Sequence, residues 1–261
     1  MSEYQIIFST EMVSAILDGR KTQTRRVIKP QPVDEFGKIC ECKVLGPEFY
    51  SPVVVDRHGE EQPGKEIYGV YDEYGEWGVK SPYGSPGDLL YVRETWRPAD
   101  RLIDGFERMK GGEYWIQYKA GGAVYNVDWD TDKVDQDYDA DSPEKLKGTF
   151  SIDPKFGRWL PSIHLPKNYS RLWLRVLDVR VERVRDITPK DASAEGCSGL
   201  AGMVGINTAM LVTNTNSIEE AQDVALIDDF AYLWDSINAK RGYGWKVNPW
   251  VWVIEFEKVQ R

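Results

Sequence analysis

Lys21, Thr24, Arg25 and Arg26 fall inside one eight-residue stretch, Gly19-Arg20-Lys21-Thr22-Gln23-Thr24-Arg25-Arg26. A lysine held near other cations has its charged form disfavoured, so its pKa falls and it can accept a proton at neutral pH. A threonine hydroxyl beside such a base can act as a nucleophile or position water. A carboxylic acid facing the pair would then protonate a leaving amine. Local spacing does not supply that acid, which must arrive from elsewhere in the chain. Glu94 and Glu195, each at the end of an expected element, are the candidates. No acid stands between Asp18 and Asp34, so the stretch is a local cation source that also suits phosphate. The same composition fits a solvated edge strand kept soluble by Lys and Arg.

Other catalytic sets are thin. Gly111-Gly112 and Gly121-Gly122 lack both the spacing and the lysine of a phosphate loop. Neither His58 nor His164 lies near a nucleophile elbow. His164, between Ile163 and Leu165, reads as a satisfied structural histidine, and His58 as an exposed one. Cys40 and Cys42 have a one-residue spacer and no second pair, which does not make a zinc site. Asp128, Asp130 and Asp132 have calcium-loop spacing, but Lys133 stands where that loop needs Gly. The acidic stretch from Asp128 to Asp141 is therefore expected to be a solvated loop. No metal and no cofactor is expected.

The balance of 33 Lys and Arg against 42 Asp and Glu gives a net charge of −9, which argues against a broad duplex-binding face and permits one small basic site. Aromatics make up 12% of the residues, enough for a well-packed β core or for several stacking surfaces. Three cysteines form an odd set without a disulfide pattern, which fits a reducing compartment. With no apolar signal core and no membrane-length apolar run, the expectation is a cytoplasmic protein.

The elements that must position the basic stretch follow from periodicity. Gln5 to Phe8 reads as a strand. Ser9-Thr10 caps a helix carrying Met12, Val13, Ile16 and Leu17 that stops at Gly19. Thr22 to Arg26 should then run extended, with Lys21, Gln23 and Arg25 on one side and Thr22, Thr24 and Arg26 on the other. Residues 34 to 82 suggest an insertion of short hairpins. Pro86-Gly87-Asp88 turns into a buried strand, Leu89 to Val92, which Arg93-Glu94-Thr95-Trp96 carries toward the surface. Tyr114 to Tyr118 suggests another strand, and Trp159 to Pro166 an extended, proline-bracketed segment. Arg171 to Arg185 alternates strongly and shifts phase near Asp178, as at a bend or bulge. Thr188-Pro189-Lys190-Asp191 opens a short helix that stops at Gly196. Residues 197 to 216 read as a polar loop. Phe230, Leu233, Trp234 and Ile237 stripe a later helix, and Trp250 to Val259 is a strand. Short strands with few helices favour a mixed α+β barrel.

These pieces together carry a resemblance. Gly19-Arg20-Lys21-Thr22-x-Thr24-x-Arg26, then Pro86-Gly87-Asp88, Ile187-Thr188 with Glu195, and the closing Trp250 to Phe256 strand resemble the ASCH family. Phe8-Ser9-Thr10, Arg93 to Trp96, Trp159 to Pro166 and Leu233 to Asn238 look more specifically like the larger ASCH proteins of bacteriophages and prophages. The matching pieces cover somewhat less than half of the chain. The resemblance implies a single domain over 1–261 with a PUA-like β-barrel and short flanking helices. Its core would lie at about 4–36, 83–96, 158–195 and 228–259, broken by insertions at about 37–82, 98–157 and 196–227. It implies a protein that binds RNA, single-stranded nucleic acid or a modified nucleoside. Arg20, Thr22, Arg25, Arg26, Glu94 and Trp96 would serve as binding residues, with Trp96 stacking on a base. One branch of the superfamily hydrolyses N4-acetylcytidine, with a lysine as base, a threonine as nucleophile and a glutamate as proton donor. Carried onto this chain, those roles fall on Lys21, Thr24 and Glu195, which makes amide hydrolysis on N4-acylated cytidine the alternative. A third reading is a phage accessory protein in the host cytoplasm, binding a host protein through the insertions.

Overall fold

The computed structural model of the chain describes residues 1–40, 42–101, 113–121, 123–128, 150–151, 158–198 and 218–260. It is a mixed α+β protein, mostly strand, with several sheets. Two compact units share the chain. One comprises Met1–Ser2, Gly19–Asp88 and Arg175–Glu257, the other Glu3–Asp18, Leu89–Leu174 and Lys258–Arg261.

In the first unit, β2 (Gln23–Val27) pairs antiparallel with β14 (Trp250–Val259), placing Gln23 opposite Glu255, Thr24 opposite Ile254 and Arg25 opposite Val253. On the other side of β14 runs β13 (Trp173–Arg183). Two helices complete the group, α2 (Pro189–Ala194) and α3 (Ile218–Asn238). Val251 and Val253 of β14 pack on Ala192 of α2 and on Phe230 and Trp234 of α3, with Val184 and Ile187 closing the cluster. Phe230 and Trp234 stand four apart and share one helix face, which is why α3 can lay both rings on this sheet. Each such side chain contributes about 1.5–3 kcal/mol by leaving water.

The expected insertion of hairpins is present in this unit. β3 (Val44–Tyr50), β6 (Ile67–Asp72) and β7 (Gly78–Lys80) form one antiparallel sheet, and β4 (Val53–Val55) pairs with β5 (Glu61–Pro63). Gly69 is required there, because a Cβ would stand 2.3 Å from the Val79 carbonyl oxygen.

In the second unit, β1 (Glu3–Ile7) pairs parallel with β8 (Leu89–Arg93). The helix α1 (Thr10–Leu17) is capped by Ser9, whose side chain accepts from the Met12 N–H. A further sheet has the order β11 (Ala123–Asp128), β10 (Glu113–Tyr118), β9 (Trp96–Arg101), β12 (Phe150–Ser151). Trp96, Ile116, Tyr118, Leu165 and Tyr169 form its core.

Several expectations change. Among the described residues, neither unit closes a barrel by itself. Residues 159–166 are not extended throughout, since Ser162–His164 form a 3-10 turn that breaks the alternation and leaves His164 exposed. β8 ends at Arg93, and Glu94 and Trp96 are buried instead of rising to the surface. The phase change in β13 is present, with Leu177 and Asp178 both exposed between buried Val176 and Val179 in an unbroken strand. Beyond Asp128, the acidic loop (129–141) lies outside the described residues, as does the polar loop over 199–216. Among the described residues, no helix is long and apolar enough to cross a membrane.

Candidate functional site

The site grows from the end of α2. Thr188 accepts from the Asp191 N–H while the Asp191 carboxylate accepts from the Thr188 N–H, and Pro189 occupies the first helical position. The amides of the N-cap and of the third helical residue are thereby satisfied. The six-residue helix ends on Glu195 as its C-cap, and Gly196 with φ +92° lets the chain turn away. The neighbouring segment is docked by its backbone. The Thr22 N–H donates to the Ala194 carbonyl at 2.9 Å, and the Thr22 carbonyl accepts from the Phe256 N–H at 2.9 Å. This fixes Lys21 beside the helix end.

Lys21 is 2% exposed, and its Nζ donates to the Glu195 Oε2 at 2.7 Å and to the Glu195 carbonyl oxygen at 2.8 Å. A single ammonium thus satisfies a helix-terminal carbonyl and a carboxylate together. Burial pushes the Lys21 pKa below its ordinary value; Glu195 opposes that shift and Arg26 adds to it.

Arg25 enters the same carboxylate from strand β2. Its Nη1 lies 3.5 Å from Glu195 Oε1, and its Nη2 lies 2.9 Å from Glu182 Oε2 and 3.3 Å from Asp191 Oδ2. Arg180 continues the network. It donates to Glu182 Oε1 and Asp191 Oδ1, both at 2.6 Å, to Gln23 Oε1 at 3.1 Å, and to Glu255. Burial alone would raise the Asp191 pKa, but the Thr188 hydrogen bonds with Arg25 and Arg180 outweigh it and hold the value below the usual range. Lys21, Arg25 and Arg180 are therefore met by Glu182, Asp191, Glu195 and Glu255, three cations against four carboxylates. The basic stretch is no bare cation source.

Within β2 the expected alternation holds. Gln23 and Arg25 share the face that meets Arg180. Thr24 and Arg26 share the other, where Arg26 interacts with Tyr83, Glu195 and Arg241. Thr24 is 2% exposed. Arg20 and Thr22 carry exposed side chains at the rim of the segment. Cys197, two residues past Glu195, has its thiol pushed up to about 12 by burial and by Glu195, with Lys21 opposing. Among the described residues, Glu195 Oε1, Gln23 Nε2, and Arg25 Nε and Nη1 are buried and have no hydrogen-bond partner.

Glu94 and Trp96 belong to the second unit. Glu94, 1% exposed, takes a two-pronged bond from Arg171, with Nε to Oε1 at 2.9 Å and Nη2 to Oε2 at 3.0 Å. Trp96 is 8% exposed, packs in the core of that sheet and meets the Tyr169 ring edge-on at 6.1 Å. Both expected binding residues are thus buried, and Trp96 Nε1 is among the buried atoms without a hydrogen bond.

Sequence reasoning missed Gln23, Arg180, Glu182, Asp191 and Glu255 as members of the site. Arg180 and Glu182 stand two apart on a strand and so face one way, which was the available signal. Asp191 was legible as a cap only. Among the described residues, no group of three or more His, Cys, Asp and Glu side chains could hold a metal ion. Set against protein-family models, curated proteins and solved structures, the chain matches none.

Proposed function

We propose that this is an ASCH-type protein with a PUA-like core, and that its Lys21–Glu195 site binds a modified pyrimidine nucleoside. The observation that carries the reading is the buried contact of 2.7 Å between Lys21 Nζ and Glu195 Oε2, residues 174 positions apart in sequence. Residues that resemble a catalytic set across such a separation have no reason to meet unless the fold brings them together. Recognition of a base, as opposed to a phosphate track, is favoured by the burial of Lys21 and Arg25 and by their carboxylate partners. A polyanion would have to displace those partners at the cost of leaving carboxylates buried and unpaired. Three free cysteines, Cys40, Cys42 and Cys197, suit a reducing cytoplasmic setting.

Titration calorimetry with cytidine, N4-acetylcytidine and single-stranded RNA, at low and high salt, tests this. The expected result is saturable nucleoside binding that changes little with salt and is lost in Lys21→Met. RNA binding that falls steeply with salt, with no nucleoside binding, would replace this reading by a phosphate-tracking one.

Hydrolysis of the N4-amide is the second reading, favoured by the same contact. Burial disfavours two separated charges, so a proton passed from Lys21 to Glu195 across 2.7 Å yields a neutral amine and a neutral carboxyl at once. With Thr24 on the face of β2 opposite Gln23 and Arg25, the amine takes a proton from a water whose oxygen attacks the acyl carbon. The carboxyl gives its proton to N4 as the C–N bond breaks and cytidine leaves. The ammonium then returns a proton to the carboxylate, so that the whole reaction consumes one water and releases a carboxylic acid. Release of cytidine from N4-acetylcytidine, lost in Lys21→Met and in Glu195→Gln, is the expected outcome. An unchanged rate in either variant removes the mechanism.

A further inference from the structure

The mechanism above leaves Gln23 without a role, yet Gln23 is 2% exposed in the middle of the site. Its amide orientation is set, because Oε1 accepts from Arg180 Nη2 at 3.1 Å. Oε1 being the acceptor, Nε2 is the donor left over, and it is buried without a partner. Arg180 is itself held by Glu182, Asp191 and Glu255, so the amide is clamped from behind. Lys21 and Arg25 flank Gln23 at two residues on either side, and Glu195 reaches both of them, at 2.7 Å and 3.5 Å. Among the described residues, the buried atoms of this group without a hydrogen bond are Gln23 Nε2, Arg25 Nε and Nη1, and Glu195 Oε1, the last 3.5 Å from Arg25 Nη1 as an ion pair.

A buried polar atom without a partner is costly, and a ligand that pairs with complementary ones relieves that cost. We infer that Gln23 is the residue that reads the base: its Nε2 donates to the acceptor edge of a cytosine, ring N3 or O2, while Glu195 Oε1 accepts from the N4–H. This rests on the nucleoside reading above and deepens it. The ligand class that fits is a heterocycle with an N–H beside acceptor atoms, free or N4-substituted with one N–H retained. Gln23 touches the base and no reacting bond, so it sets affinity and choice of base.

The test compares wild type with Gln23→Glu, whose carboxylate keeps the bond to Arg180 and replaces the donor by an acceptor. Binding of cytidine, 3-deazacytidine (which lacks the N3 acceptor) and 2-thiocytidine (which weakens the O2 acceptor) is measured for both. Wild type should lose at least about fivefold in affinity for one of the two analogues. Gln23→Glu should lose at least about tenfold for cytidine and discriminate little against that same analogue. Equal cytidine affinity in Gln23→Glu overturns the proposal, and so does a full additional loss with both analogues. If the variant does not fold, the wild-type series decides: no loss with either analogue means that a buried water, and no base, satisfies Gln23 Nε2. Failure of wild type to bind cytidine or N4-acetylcytidine at all removes the nucleoside reading itself, and this inference with it.

Discussion

Two buried ion pairs, one in each unit, are built from similar charges and finished differently. In the second unit Arg171 clasps both oxygens of Glu94, and its guanidinium carbon lies 4.3 Å from the Tyr118 ring centroid. The Tyr118 hydroxyl in turn donates to the Tyr169 carbonyl. Each oxygen of that carboxylate accepts one of the two Arg171 bonds. In the first unit Lys21 uses one oxygen of Glu195 and leaves the other, Oε1, without a hydrogen bond, beside guanidinium nitrogens that also lack one. A closed pair of the first kind holds a core together. An open pair of the second kind has valences to offer. Residue type alone made Glu94 and Glu195 equal candidates, and completeness of hydrogen bonding separates them.

The sharpest way to break this contrast is to truncate each cation. Arg171→Ala leaves Glu94 buried and uncompensated and should lower stability by about 3–5 kcal/mol in denaturant unfolding. Nucleoside affinity of the folded fraction should not change. Lys21→Met fills a similar volume and leaves Glu195 the Arg25 contact at 3.5 Å, so stability should move by no more than about 1–2 kcal/mol while binding is lost. A reversed outcome would mean that the roles of the two pairs are exchanged.

Opposite pH slopes sharpen the comparison next. Burial raises the Glu94 pKa above the ordinary 4.5, with Arg171 opposing. The folded protein then holds that proton more readily than the unfolded chain. The stability this contributes is complete below pH 4.5 and is lost as pH rises through the raised value. Lys21, lowered from 10.5, behaves in the other sense: the unfolded chain binds its proton more readily, so stability rises with pH between the lowered value and 10.5. Unfolding measured across pH should lose the acid-side slope in Glu94→Gln and the alkaline-side slope in Lys21→Met.

The smallest effect belongs to the helix that carries Glu195. Thr188→Ala removes the side-chain cap of α2 and should cost about 1 kcal/mol in thermal unfolding, with a slight loss of nucleoside affinity. An affinity loss as large as that of Lys21→Met would show that the cap, and not the ion pair, organises the site.

Much of the scaffold was legible because its signals are local. Thr188, Pro189, Asp191 and Gly196 spell the start and stop of α2 within nine residues, and Ser9 does the same for α1. The alternation over Gln23 to Arg26 correctly separated two faces. The site was less legible, because its contacts are long-range. Lys21 and Glu195 are 174 positions apart, and only family resemblance, with no spacing rule, paired them. Glu94 and Trp96 were placed at a surface because charge follows β8. The partners that bury them, Arg171 and Tyr169, lie more than seventy positions downstream.

The docking of Thr22 gives the resting protein a built-in clock. Its amide proton is held by the carbonyl of Ala194, at the end of α2, and its carbonyl holds the amide proton of Phe256, in β14. Solvent deuterium reaches the first when Thr22 parts from the end of α2, and the second when it parts from β14. The ratio of the two exchange rates therefore tells which of these two contacts opens more often.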